Sequence, residues 1–204
     1  MIRLYDTEPS GSCHKVRLLL SLLGLDHTLV PVDFHNGEHR TPAFRKINPF
    51  GEIPVLVDGD ITLRDSQSIL VYLARRYGGE SWLPLQPEAM ARVMQWLSVA
   101  SNEIQNGPNP ARRAVVFGRK FDLAAAQKAS HRLLTVMDAH LQDRDWLAAD
   151  HPTIADVACY PYLAVVPEGD VDLTPYPNVR AWIERVESLP NAVPMPRQSD
   201  PKPD

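Results

Sequence analysis

Cysteine is scarce in this chain of 204 residues, which contains only Cys13 and Cys159. The two cysteines show neither the spacing of a disulfide framework nor that of a metal-binding motif. We therefore expect a reducing compartment, the cytoplasm, and no bound metal.

Long apolar runs and a surplus of positive charge are also absent. The apolar stretch at 18–25 is too short to cross a bilayer, and residues 1–5 lack the layout of a signal peptide. The formal net charge of -4 gives no support for nucleic-acid binding, which usually shows a basic surplus. We expect neither a membrane nor a nucleic acid as a partner.

Hydrophobic residues make up 44% of the chain, which is enough for a packed core. Residues 2–5 alternate between apolar and polar side chains, the period of a strand. A helix face follows, with Ser12 as its expected N-cap and Gly24 as its stop signal. Residues 29–32 predict a second strand, and Pro31 places it at a sheet edge. The face of the intervening helix consists of Val16, Leu19, Leu20 and Leu23.

The next segments predict a hairpin and a second helix. Strand-like runs at 54–57 and 61–63 flank the turn sequence Asp-Gly-Asp at 58–60. A helix is expected from Ser66 onward. The resulting order, β-α-β followed by β-β-α, is that of a thioredoxin-like α/β domain, which we place at residues 1–78.

The rest of the chain predicts an all-helical domain at residues 86–190. A linker rich in glycine and proline precedes it, and no convincing strand pattern follows. Thr153 and Asp156 have the spacing of a capping box at the start of an apolar helix. The proline-rich tail at 191–204 is expected to be disordered. The expected helices span 88–104, 123–141, 154–166 and 178–189.

Two features of the first domain predict a ligand site. Pro54 opens a strand-like run, where a proline removes a donor from the sheet and often marks a special backbone shape, sometimes a cis bond. The pair Asp65-Ser66 stands at the start of a helix, where a carboxylate can bind. An unpaired strand edge beside it would pair with an extended peptide. We expect a short, anionic, peptide-like ligand.

The turn between the first strand and the first helix carries the motif S-x-x-C, from Ser10 to Cys13. A dithiol relay needs two thiols within reach, and only one is present here. The Ser10 hydroxyl at a helix N-terminus can instead stabilise a thiolate that belongs to the ligand. Ser12 and Cys13 are rival candidates, because a cysteine at a helix start can have a lowered pKa and act as a nucleophile.

Four segments together resemble the cytosolic glutathione S-transferases, over about residues 1–190. The serine turn is most similar to theta-like and related bacterial members of that family. The segments are S-G-S-C-x-K-V-R-L-L-L at 10–20, N-P-F-G-E-I-P-V-L at 48–56, D-S-Q-S-I-L-x-Y-L at 65–73 and T-I-A-D at 153–156.

The resemblance implies a glutathione site in the first domain, with no metal or organic cofactor because glutathione is the nucleophile. Ser10 matches the serine that donates to the glutathione sulfur, and Pro54 matches a cis-proline. Ile53 matches the residue whose backbone pairs with the cysteinyl part. The remaining matches are Asp65 and Ser66 for the γ-glutamyl end and His39 for the glycyl carboxylate.

The sequence departs from the family pattern at two positions. Glu52 stands where relatives often have Lys or Gln, and its charge would repel the glycyl carboxylate. Asp65 replaces the commoner glutamate and shortens its reach by one methylene.

The resemblance also implies a second substrate and a partner subunit. A small electrophile would lie between the domains, near Asn102 and Gln105. A homodimer is expected, and Phe50 is a candidate for insertion into the partner, with packing inside its own loop as the alternative. The basic residues Arg112, Arg113, Arg119 and Lys120 are interpreted as a solvated face.

The resemblance thus implies a glutathione transferase that detoxifies small hydrophobic electrophiles. One alternative is a thiol transferase that depends on Cys13 and forms a mixed disulfide with glutathione. Another is a non-catalytic glutathione-binding or regulatory protein on the same scaffold, since a fold does not determine an activity.

Overall fold

A computed structural model describes residues 1–198, and the first part of the chain forms a four-stranded mixed sheet with the order β2-β1-β3-β4. β1 pairs parallel with β2 and antiparallel with β3, and β3 pairs antiparallel with β4. In this register Leu4 lies between Leu29 and Leu56. The strands are β1 (Ile2–Asp6), β2 (His27–Pro31), β3 (Val55–Asp58) and β4 (Ile61–Arg64).

Helices cover both faces of this sheet. The long connection between the parallel strands is α1 (Gly11–Leu22), as a parallel pair requires. It packs against α3 (Ser66–Leu73), and both helices bury apolar side chains such as Leu19 and Leu70. A smaller cluster centred on Phe44 of α2 (Pro42–Arg45) contacts Val55 of β3.

The second part of the chain is entirely helical within the described residues. No strand occurs between β4 and residue 198, which confirms a thioredoxin-like α/β domain followed by an all-α domain. None of the described helices is long and apolar enough to span a membrane. The helices are α4 (Pro87–Ser101), α5 (Glu103–Asn106), α6 (Pro108–Phe117), α7 (Leu123–His140), α8 (Ile154–Ala164) and α9 (Pro177–Glu187).

The α8 helix forms the centre of the helical domain, and every residue in it is buried. The predicted capping box is present: the Thr153 hydroxyl accepts from the Ala155 backbone, and Asp156 Oδ2 accepts from the Thr153 backbone at 2.9 Å. Asp156 Oδ1 also accepts from Trp182 Nε1 at 2.9 Å. The cap therefore ties α8 to α9 as well as closing its own first turn.

The predicted disorder of the tail at 191–204 is wrong for its described part, residues 191–198. The Val193 carbonyl lies 2.9 Å from His14 Nε2 on α1, and the buried Met195 donates its backbone N–H to the Tyr160 hydroxyl at 3.0 Å. The prolines leave few backbone donors to satisfy, so the segment can pack in an extended form without a sheet partner. Residues 199–204 lie outside the described part of the chain.

Candidate functional site

Ser10 occupies the N-cap of α1, where sequence reasoning expected Ser12. Its backbone is extended, and its Oγ accepts a hydrogen bond from the Cys13 backbone N–H at 3.2 Å. This bond satisfies one of the free donors at the helix start and uses a lone pair of the hydroxyl. The hydroxyl proton of Ser10 remains available for an acceptor outside the helix.

Ser12 points toward the helical domain. Its Oγ lies 3.1 Å from the Tyr162 hydroxyl of α8, within hydrogen-bond distance. The same tyrosine covers Gly11, because a Cβ at Gly11 would stand 2.8 Å from the Tyr162 ring. The first turn of α1 is thus in direct contact with the second domain, and Ser12 serves that contact.

Cys13 is fully buried beneath this turn. Burial, with a smaller contribution from the nearby Asp6 carboxylate, raises the pKa of its thiol to about 12. Nucleophilic cysteines need a thiolate in an accessible, electropositive setting, and Cys13 has neither. The burial of Cys13 therefore counts against its predicted role as a nucleophile.

Arg112 of α6 supports the turn from the other side. Its Nη1 donates to the Pro9 carbonyl at 2.7 Å, and its Nε donates to Glu168 at 2.6 Å. Arg112 is only 3% exposed, so its assignment to a solvated basic face is wrong. The other three members of that cluster, Arg113, Arg119 and Lys120, are exposed as expected.

The peptide bond between Ile53 and Pro54 is cis, as expected for this position. Pro54 is buried directly before β3, and Ile53 is half-buried. Asn48 shapes the preceding loop, since its Nδ2 donates to the Glu52 carbonyl at 2.7 Å while its Oδ1 accepts from the Phe50 backbone at 3.1 Å. The side chain of Glu52 is exposed.

Asp65 and Ser66 stand at the N-terminus of α3, as predicted. Asp65 is the N-cap, with a positive φ of 68° that is uncommon for a residue other than glycine. Its Oδ1 accepts from the Ser68 backbone at 2.9 Å. The buried Ser66 donates its hydroxyl to Gln67 Oε1, and Gln67 Nε2 reaches Ser101 of α4 at 2.7 Å.

His39, the residue matched to the glycyl carboxylate, is buried in the 3-10 turn Glu38–Arg40 before α2. Its ring stacks on Phe34 with 3.9 Å between the ring centroids. Gly51 brings the loop of Pro54 against this segment, since a Cβ at Gly51 would stand 2.8 Å from the His39 carbonyl oxygen. A glycine is needed there for that approach and for its positive φ of 61°.

The two residues suggested for a second substrate differ in position. Gln105 of α5 is half-buried, lies near the Tyr162 hydroxyl, whose pKa it lowers against the effect of burial, and accepts from Asn109 Nδ2 at 2.6 Å. Asn102 is exposed and hydrogen-bonds Asn106, one turn away. Gln105 thus lies near the tyrosine that contacts the serine turn, whereas the described hydrogen bonds of Asn102 stay within α4 and α5.

Sequence reasoning missed Tyr162, Arg112 and Gln67. The first two lie in the second domain and reach the serine turn only through the tertiary fold. Gln67 follows the expected Asp65-Ser66 pair directly, so its position in the helix was the available signal. Within residues 1–198, no group of three or more His, Cys, Asp or Glu side chains is arranged to hold a metal ion.

Comparison with known proteins agrees with this architecture. Residues 4–81 match the model of the glutathione S-transferase N-terminal domain, and residues 85–190 match that of the C-terminal domain. Glutathione S-transferase 3 of Zea mays is 34% identical over 212 residues, which cover 96% of each chain. Disulfide-bond oxidoreductase YfcG of Escherichia coli (strain K12) is 32% identical over 93% of this chain and 92% of its own.

Solved structures give the same result. The crystal structure of a glutathione S-transferase from Pseudomonas fluorescens Pf-5 superimposes with a TM-score of 0.90 at 35% identity, covering 95% of this chain and 98% of that one. A structure from Rhodopseudomonas palustris, described as a possible glutathione S-transferase, gives a TM-score of 0.86 at 34% identity over 95% and 97% of the two chains. Both family models and these relatives span nearly the whole sequence, and the chain belongs to the glutathione S-transferase family.

Proposed function

We propose that this glutathione transferase activates glutathione through the Ser10 hydroxyl. One observation carries the proposal: the Ser10 oxygen accepts a hydrogen bond from the Cys13 backbone N–H. The hydroxyl proton of Ser10 is therefore free to donate to a ligand. A thiolate at the N-terminus of α1 would accept that proton in a hydrogen bond and would also meet the positive end of the helix dipole. Ser12 is already engaged by Tyr162 and is the weaker candidate.

The energies are sufficient for this role. A free thiol has a pKa of about 8.5, and lowering it by about two units requires about 2.7 kcal/mol. A hydrogen bond to a charged group contributes about 1.5–3 kcal/mol. The helix N-terminus adds about 0.3–1 kcal/mol. Ser10 and α1 together supply the required stabilisation.

The rest of glutathione would extend along the first domain. The backbone of Ile53, held beside cis-Pro54, would pair with the cysteinyl unit in the manner of an added strand. Asp65 would bind the γ-glutamyl ammonium, and Ser66 at the start of α3 would bind the γ-glutamyl carboxylate. His39 would contact the glycyl end, although its stacking on Phe34 requires it to act from a buried position.

A small hydrophobic electrophile would bind between the domains. Gln105 would border this space near Tyr162, and the exposed ring of Phe117 on α6, 5.5 Å from the Arg112 guanidinium, would supply apolar surface. Asn102, exposed between α4 and α5, would be the weaker of the two contacts. The reaction forms a bond from the glutathione sulfur to the electrophile, with loss of the leaving group or protonation of the adduct. It needs no metal or organic cofactor, because glutathione supplies the nucleophile.

Two other functions are weaker. A thiol transferase using Cys13 conflicts with the burial and raised pKa of that thiol. The relative named a disulfide-bond oxidoreductase makes glutathione-dependent disulfide chemistry worth testing, but on this chain it would proceed without Cys13. A non-catalytic binding protein would retain the glutathione site and show no turnover.

We further propose a cytoplasmic homodimer with a role in detoxification. Phe50 is 61% exposed, with the Arg64 guanidinium 3.6 Å from its ring centroid, so its own loop does not cover it. Ile61, on the same strand as Arg64, is also an exposed apolar side chain that a partner subunit at Phe50 would cover. Sedimentation should give a dimer, and Phe50→Ala should weaken it; a monomer in the unmodified protein would contradict this proposal.

The function is tested by conjugation of glutathione to a chloronitrobenzene. Ser10→Ala should lower kcat/KM by about 100-fold, corresponding to the roughly 2.7 kcal/mol of lost thiolate stabilisation. Ser10→Thr should recover part of the activity, because threonine retains a hydroxyl and an N-cap. Ser12→Ala and Cys13→Ala serve as matched controls and should retain most of it.

Three outcomes would assign the function differently. Full activity of Ser10→Ala together with an inactive Cys13→Ala would assign the chemistry to the thiol. Retention on immobilised glutathione without conjugation would indicate a binding protein. Reduction of a glutathione mixed disulfide without conjugation would indicate an oxidoreductase.

A further inference from the structure

Lys15 is a fully buried lysine on α1, five residues after Ser10. Within residues 1–198, the only hydrogen-bond partner of its ammonium group is Gln67 Oε1, at the long distance of 3.5 Å. The ammonium also lies 5.5 Å from the centroid of the Tyr162 ring. No carboxylate of the described chain is close enough to form a salt bridge with it. The helix that begins at the serine turn thus carries a buried Lys15 ammonium with no carboxylate partner among the described residues.

An unpaired buried ammonium is unfavourable, because water solvates the charge far better than the protein interior does. Burial accordingly lowers the pKa of Lys15 to about 8. Two groups oppose this shift: the Cys159 thiol of α8 and the Asp65 carboxylate of α3. The first is a weak partner, since burial raises the pKa of Cys159 well above its ordinary value and keeps it neutral. The free protein therefore leaves Lys15 short of negative charge.

Gln67 connects Lys15 to the start of α3. Its Oε1 accepts from the Ser66 hydroxyl and also faces the Lys15 ammonium, so both donors converge on one oxygen atom. Its Nε2 is fixed by Ser101, which sets the direction in which the amide oxygen points. Lys15 therefore lies directly behind Ser66, on the protein side of the α3 N-terminus.

We propose that Lys15 is a specificity-determining residue for glutathione, whose γ-glutamyl carboxylate, bound at Ser66, is the missing counter-charge of the buried ammonium. This inference rests on the proposed function, since it needs glutathione in that site. The Gln67 amide lies between the Lys15 ammonium and Ser66, so Lys15 attracts the carboxylate electrostatically without contacting the ligand. It selects for a carboxylate at this end, because a neutral group would leave the ammonium unpaired.

Binding should therefore take up a proton at alkaline pH. A carboxylate placed near the ammonium favours its charged form, so the pKa of Lys15 rises when the ligand binds. Near pH 7 the amine is already mostly protonated and uptake is small. Near pH 9 the free amine is largely neutral, and each Lys15 that becomes charged takes one proton from the buffer. The affinity for the ligand should fall as the pH rises above about 8.

The experiment is titration calorimetry of the full chain with S-methylglutathione, whose blocked sulfur removes the thiol proton from the balance. Buffers of different ionisation enthalpy report the number of protons taken up at pH 7 and pH 9. The unmodified protein should take up more protons at pH 9 than Lys15→Met does. Lys15→Arg should bind without this extra uptake, because arginine stays charged throughout.

A second ligand isolates the charge pair. An S-methylglutathione analogue with its γ-glutamyl carboxylate converted to an amide should bind the unmodified protein and Lys15→Arg at least tenfold more weakly than the parent ligand. For Lys15→Met the loss should be smaller, because the counter-charge is already gone. Thermal unfolding of each variant checks that it is folded. If Lys15→Met does not fold, the comparison of Lys15→Arg with the unmodified protein still tests the inference.

The role of Lys15 would be overturned if Lys15→Met and the unmodified protein lost the same affinity for the amide analogue. It would also be overturned if these two proteins took up the same number of protons at pH 9. The role of Lys15 would also be overturned if Lys15→Arg bound the amide analogue as tightly as it binds S-methylglutathione. If the unmodified protein binds no S-methylglutathione at all, the proposed glutathione site fails first and this inference fails with it.

Discussion

Arg112 Nη1 donates a 2.7 Å hydrogen bond to the carbonyl oxygen of Pro9, the residue directly before Ser10. The guanidinium belongs to α6 of the helical domain, and its second bond to Glu168 fixes its direction. Because two bonds from a planar fork define an orientation, the backbone at Pro9 is held in one position. The proposed catalytic hydroxyl is thus aligned by a residue from the other domain.

Replacement of Arg112 by lysine should impair catalysis more than it impairs folding. A lysine keeps the charge beside Glu168 but cannot donate two bonds in a fixed geometry. We expect kcat/KM for conjugation to fall about tenfold, the equivalent of one lost hydrogen bond of about 1.4 kcal/mol. The pKa of the bound glutathione thiol, followed by its ultraviolet absorbance, should rise. The exposed neighbour provides the control as Arg113→Lys, and equal kinetics in the two variants would refute the positioning role.

Neither cysteine should react with iodoacetamide in the folded protein at pH 8. Cys13 and Cys159 are buried, and the pKa of Cys13 is raised to about 12, so the reactive thiolate is scarce and inaccessible. Mass spectrometry should show no added label under native conditions and two labels in urea. Rapid single labelling at Cys13 would restore the thiol-transferase alternative.

Loss of the Asp156 carboxylate should destabilise the fold strongly. It accepts from the Thr153 and Leu147 backbones and from the Trp182 ring, all buried. Asp156→Ala would leave these donors without partners, at about 1–3 kcal/mol for each unsatisfied group. We expect a loss of more than about 3 kcal/mol in urea unfolding. The exposed Asp150→Ala should change stability little, and a similarly small effect of Asp156→Ala would show that the cap is dispensable.

His14 should make the protein sensitive to acid. It is buried on α1 between the Val193 carbonyl and Arg17, and burial lowers its pKa to about 3. Because the folded pKa lies below the unfolded value of about 6.5, its contribution to stability is complete above pH 6.5. That contribution falls by about 1.4 kcal/mol for each pH unit between 6.5 and 3, as the unfolded state binds the proton.

Urea unfolding at pH 7 and pH 4.5 measures this dependence. His14→Gln should unfold with a shallower pH dependence, since its amide can still donate to the Val193 carbonyl but does not titrate. The exposed His35→Gln is the matched control and should leave the slope unchanged. Identical slopes in all three proteins would show that the charge of His14 does not govern acid unfolding.

Local patterns predicted the order of the elements in the first part of the chain and the positions of several candidate site residues within it. The strand and helix periods gave the β-α-β and β-β-α order, and Pro54 and Ser66 stood where short-range rules placed them. The prediction of Ser12 as N-cap is wrong, because both serines fit the capping pattern and the sequence alone does not separate them. Only the backbone dihedrals, extended at Ser10, decide between them.

Long-range contacts could not be predicted in the same way. Tyr162 and Arg112 lie far from the serine turn in sequence and reach it only when α6 and α8 are packed. The α6 helix was missed because Pro108 and the proline two residues later suggest a break. Both lie in its first turn, where the backbone N–H groups have no helical partner to lose.

The contact between Gly11 and Tyr162 has a consequence for recombination between members of this family. The ring occupies the space where any other residue at position 11 would place its Cβ, so each half of the chain is shaped to the other. A chimera joined in the linker between α3 and α4 would inherit its serine turn from one parent and the opposing ring from another. Such hybrids should function only when the two parents carry compatible residues at positions 11 and 162, because these residues pack against each other across the domain interface.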